Sequence, residues 1–431
     1  MNISVISFLS FCLLTFLLSI LRFSNFSRFE SVIFFLILWV SGFAVWVTKG
    51  FSIFTLSFIG IIVVLVNNRS KIRIYSLGLF QIYFPIVFFV LFYFIYYVFS
   101  NFSLSYPHED YLIYERIGYY NYLYEVENTR TFYNVISKIQ PKMELYHFFE
   151  IWAATLLTQI NGLKFLENFI LVLCPVMIWI TWLGFLELFP EKRVFMIIGI
   201  LFSILIFINP YDIVIEFFEF PLPISGLGGI LFHLKYLFVL PILLFVLIQL
   251  KKSNTNYLIF SVISFLYLLV FPVLLASLIL YDFYKKRLSW RTFFIPIFLG
   301  LFFIALSLIL NRDPIFPKTD IMHFNNFFLV SKVFIMGLFF PSVLFLIILK
   351  LVKANDFQKS LVLFFTFTSF IGSFLWVLYS DNIDANQLYR NSISSFFPLT
   401  LFVLIEKFFD HVFFNILDLA LCSILLFFFI L

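Results

Sequence analysis

Charge is scarce in this sequence. Only 12% of its 431 residues are Asp, Glu, Lys or Arg, where a soluble protein carries about 25%. A chain this poor in charge cannot cover a folded surface that faces water, so a soluble globular enzyme is excluded. Long hydrophilic stretches are scarce too: there is one, from 101 to 162. Cysteine is rare, and Cys12, Cys174 and Cys422 all lie in apolar segments. They read as small core residues and not as a disulfide framework or a metal site. No Gly-rich phosphate loop or other nucleotide-binding motif occurs, which argues against an ATP-driven pump. No feature points to nucleic acid. Alternating strands of about ten residues, the pattern of a membrane barrel, are missing. No basic stretch precedes the first apolar run, since Arg22 and Arg28 follow it. Residues 1–21 are therefore expected to stay as a membrane helix and not to be cleaved as a signal peptide.

What the chain has is apolar length. Hydrophobic residues make up 63% of it, in runs of about 17–25 residues that can each span a bilayer as a helix. Helices satisfy their own backbone groups, as hydrocarbon demands. The expectation is an all-α, polytopic membrane protein with about 12–14 membrane helices. They are placed near 3–21, 31–48, 51–66, 77–100, 164–188, 194–209, 229–250, 292–311, 328–350, 360–379, 395–409 and 412–431. The 69 phenylalanines read as compositional drift at apolar positions and not as an aromatic lining.

Basic clusters set the topology, because Lys and Arg stay cytoplasmic. They fall at Arg22/Arg28, Arg69/Lys71/Arg73, Lys192/Arg193, Lys251/Lys252, Lys285/Lys286/Arg287/Arg291 and Lys350/Lys353. Placing all of them inside puts the amino terminus and the 101–162 loop outside, together with the short loops 210–228, 311–327 and 380–394. The outer segments are then net acidic. Residues 257–283 are apolar between two basic clusters, so a hairpin broken at Phe271-Pro272 keeps both clusters inside. Three amino-terminal helices (1–76) precede a core (77–431) that includes the long loop.

The loop opens Tyr106-Pro107-His108-Glu109-Asp110-Tyr111. Tyr111, Tyr114, Ile117 and Gly118 recur at helical spacing, giving an interfacial amphipathic helix. Glu109 and Asp110 fall at its first turn. The helix dipole favours acids there, so they suit either capping or chemistry. Glu115, further along, has no role in this scheme. The loop closes with a second interfacial helix that ends at Asn161-Gly162. Glu144 and His147 share a face there, as a solvated pair or as holders of a cation or a substrate hydroxyl. Nine of the 22 tyrosines lie between Tyr106 and Tyr146. Tyrosines suit a membrane interface and sugar stacking alike. Outer loop 210–228 adds Asp212, Glu216 and Glu219, followed by His233 and Lys235. Lys235 either snorkels to the surface or meets a lipid phosphate.

Asp110-x-x-x-Tyr114, early in the first large outer loop, resembles the acidic motif of GT-C glycosyltransferases. These multi-pass enzymes take a sugar from a polyprenyl-phosphate donor. The segment Tyr146–Gly162 resembles the family's aromatic stretch, without its usual Pro. Phe271-Pro272 resembles its broken hairpin, without the Lys. Tyr389-Arg390-Asn391, before Phe396-Phe397-Pro398, resembles its Arg-Tyr pair in changed order. The resemblance spans about 78–410 and leaves the first three helices as an addition. It implies a GT-C-like fold in the inner membrane, with the active face outside. It implies Asp110 as base, with Glu109 assisting or holding a divalent cation, Mg or Mn. Arg390 would meet the lipid phosphate, with Arg312 or Lys318 as substitutes. Lys235, His147, Glu144 and Tyr114 would line the substrate site. The partners are the bilayer, the lipid-linked sugar and a glycan, lipid or protein acceptor. The alternatives are an O-antigen or capsule repeat-unit polymerase, and a lipid or oligosaccharide transporter or flippase.

The topology has a direct test. Engineered cysteines at Asn128 and Asn382 should react with an impermeant thiol reagent added outside, and those at Asn68 and Asn254 should not. Labelling at Asn254 would overturn the hairpin and the order of every later helix.

Overall fold

The computed structural model describes residues 3–49, 53–74, 110–125, 148–190, 236–288, 334–378 and 385–410, with short pieces at 85–87, 89–90, 92–93, 294–298, 300–301 and Leu234. The helices expected at 194–209 and 412–431 lie outside the described residues, as do most of those expected at 77–100 and 292–311.

Helix α1 spans Ile3–Ile20, α2 spans Arg28–Thr48 and α3 spans Ile53–Asn67. After a gap come α4 (Asp110–Tyr124), α5 (Phe148–Asn161) and α6 (Phe165–Leu188). Then follow α7 (Tyr236–Lys252), α8 (Tyr257–Ile263) and α9 (Phe271–Tyr284). The last group is α10 (Phe340–Leu351), α11 (Asp356–Leu378), α12 (Ala385–Ile393) and α13 (Phe396–Asp410). Among the described residues, α1, α2, α6 and α11 are long and apolar enough to cross a bilayer. Leu9, Leu13 and Phe16 form an exposed apolar stripe on α1, which suits hydrocarbon as the solvent. The one departure from an all-α chain is a short ribbon. Strand β1 (Leu21–Phe23) pairs antiparallel with β2 (Ile72–Ile74), joining the linkers that follow α1 and α3.

Local chemistry explains the helix limits. Ser27 and Glu30 form a capping box at the start of α2: Ser27 Oγ accepts from the Glu30 N–H at 3.1 Å, and Glu30 Oε2 accepts from the Ser27 N–H at 2.9 Å. Two helices carry a π turn just before a proline, Phe169–Leu173 ahead of Pro175 and Ile335–Phe339 ahead of Pro341. Proline offers no N–H and crowds the preceding turn, and a wider turn relieves both problems. Gly184 lets α6 approach α7 and α2. A Cβ there would meet Leu244 Cδ1 at 2.9 Å and Phe29 Cε2 at 3.0 Å.

The contacts sort the helix ends. Lys252 pairs with Glu187 at 2.6 Å, and Lys251 Nζ donates to the Leu188 carbonyl, so α6 and α7 end together. The start of α2 joins them, since Glu30 lies within electrostatic range of Glu187 and Lys252. Tyr257 Oη donates to Asp282 Oδ2 at 2.6 Å, so α8 begins where α9 finishes. Residues 257–284 therefore form a hairpin whose two ends meet. The clusters at Arg22/Arg28, Arg69/Lys71/Arg73, Lys251/Lys252 and Lys285/Lys286/Arg287 gather at this end of the bundle. At the far end, Lys49 pairs with Glu125 and ties α2 to the end of α4.

Two expectations need correction. The hairpin breaks at Tyr267 (φ −156°, ψ 91°), between two 3₁₀ turns, and not at Phe271-Pro272. Pro272 sits in the first turn of α9. A missing N–H costs nothing there, so proline starts this helix and does not break it. Residues 385–393 are not part of an outer loop. They form α12, which runs into the bundle and continues as α13 after an interruption at Ser394-Ser395. The pair α12–α13 lies antiparallel to α11. A Cβ on Gly372 would be 3.3 Å from the Tyr389 Cα. The Phe396 ring meets Phe364 at 5.6 Å and Phe365 at 5.3 Å, and Gln358 Nε2 donates to the Val403 carbonyl at 3.2 Å. Hydropathy averages over all faces of a segment and so reads this polar stretch as exposed. Its Tyr389, Asn391 and Ser392 are in fact buried.

Tyr389 is held by two glycines, Gly372 beside its backbone and Gly337 beside its hydroxyl. A Cβ on Gly337 would lie 2.9 Å from Tyr389 Oη and 3.1 Å from Ser373 Oγ. Gly337→Ala should cost about 1–3 kcal/mol by overpacking. Thermal unfolding of the detergent-purified protein should show the drop, and an unchanged midpoint would mean that Tyr389 is not seated there.

Candidate functional site

The helix that begins at Asp110 is the natural starting point. Tyr114, Ile117, Gly118 and Asn121 are buried, and they recur at three- and four-residue spacing along α4. Asp110 lies one turn before Tyr114 in the same register. The other sides carry exposed Leu112, Ile113, Tyr119, Leu123 and Tyr124 together with Arg116, a mix of apolar, aromatic and basic side chains suited to the membrane boundary.

Helix α4 packs on α5 through Gly118. A Cβ there would meet Thr155 Oγ1 at 2.6 Å, Phe165 Cε2 at 3.1 Å and Ile151 Cγ2 at 3.4 Å. The two helices run antiparallel. Phe43 of α2 contacts both Tyr122 and Trp152, with ring centroids 6.2 and 5.9 Å away, while Glu115 lies within electrostatic range of Lys164 and Glu167. The Asp110 end of α4 therefore points toward the α5–α6 turn. The Glu125 end lies toward Phe148, the residue after His147.

A closed polar network holds that turn. Gly162 takes a left-handed conformation (φ 71°), and its N–H donates to the Thr158 carbonyl at 3.0 Å. Asn161 Nδ2 donates to Ser10 Oγ at 3.0 Å and to Asn168 Oδ1 at 2.7 Å. Asn168 Nδ2 in turn faces Thr158 Oγ1, Asn161 Oδ1 and the Leu163 carbonyl at 3.1–3.2 Å. A buried amide needs such partners. Here they fix α1, α5 and α6 to one another.

The sequence candidates divide as follows. Asp110 is the first residue of α4, and its side chain lies outside the described residues. So do Glu109, Glu144, His147, Lys235, Arg312, Lys318, Asp212, Glu216, Glu219 and His233. Tyr114 is buried in the interface of α4. Arg390 is exposed on α12, beside the buried Tyr389. The Tyr389 hydroxyl donates to the Gly337 carbonyl at 2.9 Å, and its ring meets Trp376 at 5.5 Å, so the helix that carries Arg390 is firmly seated. The packing brings α4 to α5 and α6, and α12 to α11, α9 and the turn 268–270. Among the described residues no three His, Cys, Asp or Glu side chains come together as a metal site.

Two acids escaped the sequence reading. Glu150 sits in α5 at 1% exposure. The signal was there, a lone carboxylate in the apolar run Phe148–Leu157. Glu115 had no comparable signal, because Lys164 lies far from it in the chain. Partial burial raises the Glu115 carboxyl above its ordinary range, with Lys164 and Arg116 opposing that shift and Glu167 adding to it.

A carboxyl raised in the folded state binds its proton more readily there than in the unfolded chain. It weighs against folding once the pH rises above the ordinary carboxylate range. The thermal midpoint of Glu115→Gln should therefore rise relative to wild type as pH increases from about 4.5 to about 7. A difference that does not change with pH would refute the shift.

No protein-family model, no curated protein and no solved structure matches this chain.

Proposed function

We propose that this chain is a multi-pass glycosyltransferase of the inner membrane. It moves a sugar from a polyprenyl-phosphate donor to an acceptor on the outer face, in the synthesis of a surface polysaccharide or glycoconjugate. The observation that carries the reading is α4. It begins at Asp110, lies antiparallel on α5, and is tied by Glu125 to the end of α2 opposite the basic clusters. With those clusters cytoplasmic, this acid-headed helix lies at the outer boundary, where lipid-linked sugars and aqueous acceptors meet. The hairpin at 257–284 and the seated Tyr389-Arg390 pair lend support.

The chemistry follows from the residue types. The acceptor hydroxyl oxygen attacks the anomeric carbon of the donor, and the bond from that carbon to the phosphate oxygen breaks. The Asp110 carboxylate takes the hydroxyl proton. The electron pair leaves with the polyprenyl phosphate, whose charge meets the forked donors of the Arg390 guanidinium. Lys235 and Arg312 are further cations for that phosphate. Glu144 and His147 are polar partners for sugar hydroxyls, and Glu109 stands beside the base. A divalent cation, Mg or Mn, would help neutralise the phosphate, with Glu109 and Asp110 as its holders.

One observation favours a second reading. The hairpin interruption at Tyr267 and the span interruption at Ser394-Ser395 belong to segments that pack together, because α12 contacts the turn 268–270. Adjacent broken helices are a hallmark of transporters, so a lipid or oligosaccharide flippase is the alternative.

Asp110→Asn keeps the size of the side chain and loses the proton acceptor. Transfer from a polyprenyl-phosphate sugar in proteoliposomes should fall by about 10²–10⁴-fold at a normal protein level. Arg390→Lys should weaken donor use, and Arg390→Ala should weaken it more. Undiminished transfer by Asp110→Asn would remove the catalytic assignment. Movement of lipid-linked sugar across the bilayer without transfer would favour the flippase.

A further inference from the structure

Residues 1–108 contain one carboxylate, Glu30, against six basic residues, and five of these (Arg22, Arg28, Arg69, Lys71 and Arg73) belong to the linkers and helix ends around the β1–β2 ribbon. The retention of positive charge on one side of a membrane accounts for their number, but not for their arrangement. The register of the ribbon sets Arg22 directly opposite Arg73. Residues opposed in this way share a face with their Cβ atoms about 5 Å apart, and like charges there destabilise the pair. Arg28 lies within electrostatic range of Arg22. It is also the first residue of α2, where the helix dipole disfavours a cation. Glu30 does not offset this charge: its Oε2 accepts from the Ser27 N–H, and its charged neighbours are Glu187 and Lys252. Among the described residues, no carboxylate pairs with Arg28, Lys71 or Arg73.

The fold holds this charge in place. The Ser24 N–H donates to the Lys71 carbonyl at 2.9 Å, the Lys71 N–H donates to Ser24 Oγ at 3.1 Å, and Asn25 Nδ2 donates to the Asn68 carbonyl, so the two linkers form one unit. Phe23, between them and 1% exposed, stacks on Phe35 of α2 at 4.3 Å and anchors its face of the ribbon to the core. Side chains alternate along a strand, so Arg22 and Arg73 lie on the other face. Two carbonyls fix the arginines further: Arg22 Nε donates to Phe26 at 3.1 Å, and Arg28 Nη2 donates to Ser19 at 3.2 Å. On β2 the neighbours of Arg73 are Ile72 and Ile74, which are 61% and 80% exposed. The ribbon starts where α1 ends, and α1 carries the exposed stripe of Leu9, Leu13 and Phe16. Fixed positive charge thus stands beside exposed apolar side chains at the end of a membrane helix.

We propose that the ribbon binds the headgroup of an anionic phospholipid. The phosphodiester lies over the Arg22–Arg73 pair, whose forked donors match its oxygens, and Arg28 adds charge from the start of α2. Ile72 and Ile74 meet the apolar part of the lipid, which a free phosphate lacks. One negative charge between the opposed arginines offsets their repulsion. The bound lipid then fastens the linkers that follow α1 and α3 to the start of α2. The site lies at the opposite end of the bundle from the Lys49–Glu125 pair and does not depend on Asp110.

The test is thermal unfolding of the full chain in dodecyl maltoside, titrated with dioctanoylphosphatidylglycerol, dioctanoylphosphatidylcholine or inorganic phosphate. Phosphatidylglycerol should raise the midpoint to a plateau, and the other two should not. Arg73→Gln should raise the phosphatidylglycerol concentration needed for half of that effect about fivefold, and Arg22→Gln with Arg73→Gln about 25-fold. Arg73→Gln carries the test where the double variant does not fold. Lys286→Gln, an exposed basic residue at the same end of the bundle but off the ribbon, should leave that concentration within about twofold. Without lipid, Arg73→Gln should melt no lower than wild type, because it removes a like charge from opposite Arg22. No rise with phosphatidylglycerol would overturn the proposal, as would an equal rise with phosphatidylcholine or inorganic phosphate. So would an equal loss in Lys286→Gln, which would reduce the effect to the general charge of this end, or a lower midpoint of Arg73→Gln without lipid.

Discussion

Hydrocarbon offers no hydrogen bonds. Every polar group that enters this bundle must therefore find a partner inside the protein, and most of the architecture can be traced to that demand. Thr15, Thr48, Thr181, Ser264 and Ser277 each bond the carbonyl one turn earlier on their own helix. Ser41 and Ser57 bond each other across α2 and α3. Where a group cannot help itself, it ties helices together. Asn161 and Asn168 bind α1, α5 and α6, and Tyr257 with Asp282 closes the hairpin. Polar residues here act as joints, while Phe, Leu and Ile fill the volume between them.

The same demand gives the exceptions their meaning. The hydroxyls of Ser394 and Ser395 are buried without a partner, which is costly in a dry interior. The α4–α5 pair sits beside the end of α2 that is remote from the basic clusters. The α11–α12 contact around Tyr389 is buried, and the polar groups nearest it are neutral.

Much of this was legible in the chain. Apolar length located α1, α2, α3 and α6 to within a few residues, because a long uninterrupted helix is the simplest solution in lipid. Charge at both ends of 257–283 called for a hairpin, and Tyr257–Asp282 joins its two ends. The position of its break was not legible. Proline marks either a break or a first turn, and only the surrounding packing decides between them. The entry of 385–393 into the bundle was hidden for a related reason. Hydropathy sums a segment, while burial depends on which face meets protein, and Gly337 and Gly372 open the space for Tyr389 from distant positions. Glu115 gained its environment from Lys164, and the ribbon of β1 and β2 from a pairing across two helices. Such long-range contacts leave no local trace.

The central claim is that a polar segment, outer loop by composition, is a buried helix whose partners lie within the bundle. Hydrogen–deuterium exchange of the reconstituted protein reads this directly. Amides from Leu388 to Ser392 should exchange as slowly as those of the neighbouring α11, because their bonds open only with the bundle. Complete exchange of that segment in the first seconds, with α11 still protected, would contradict the account.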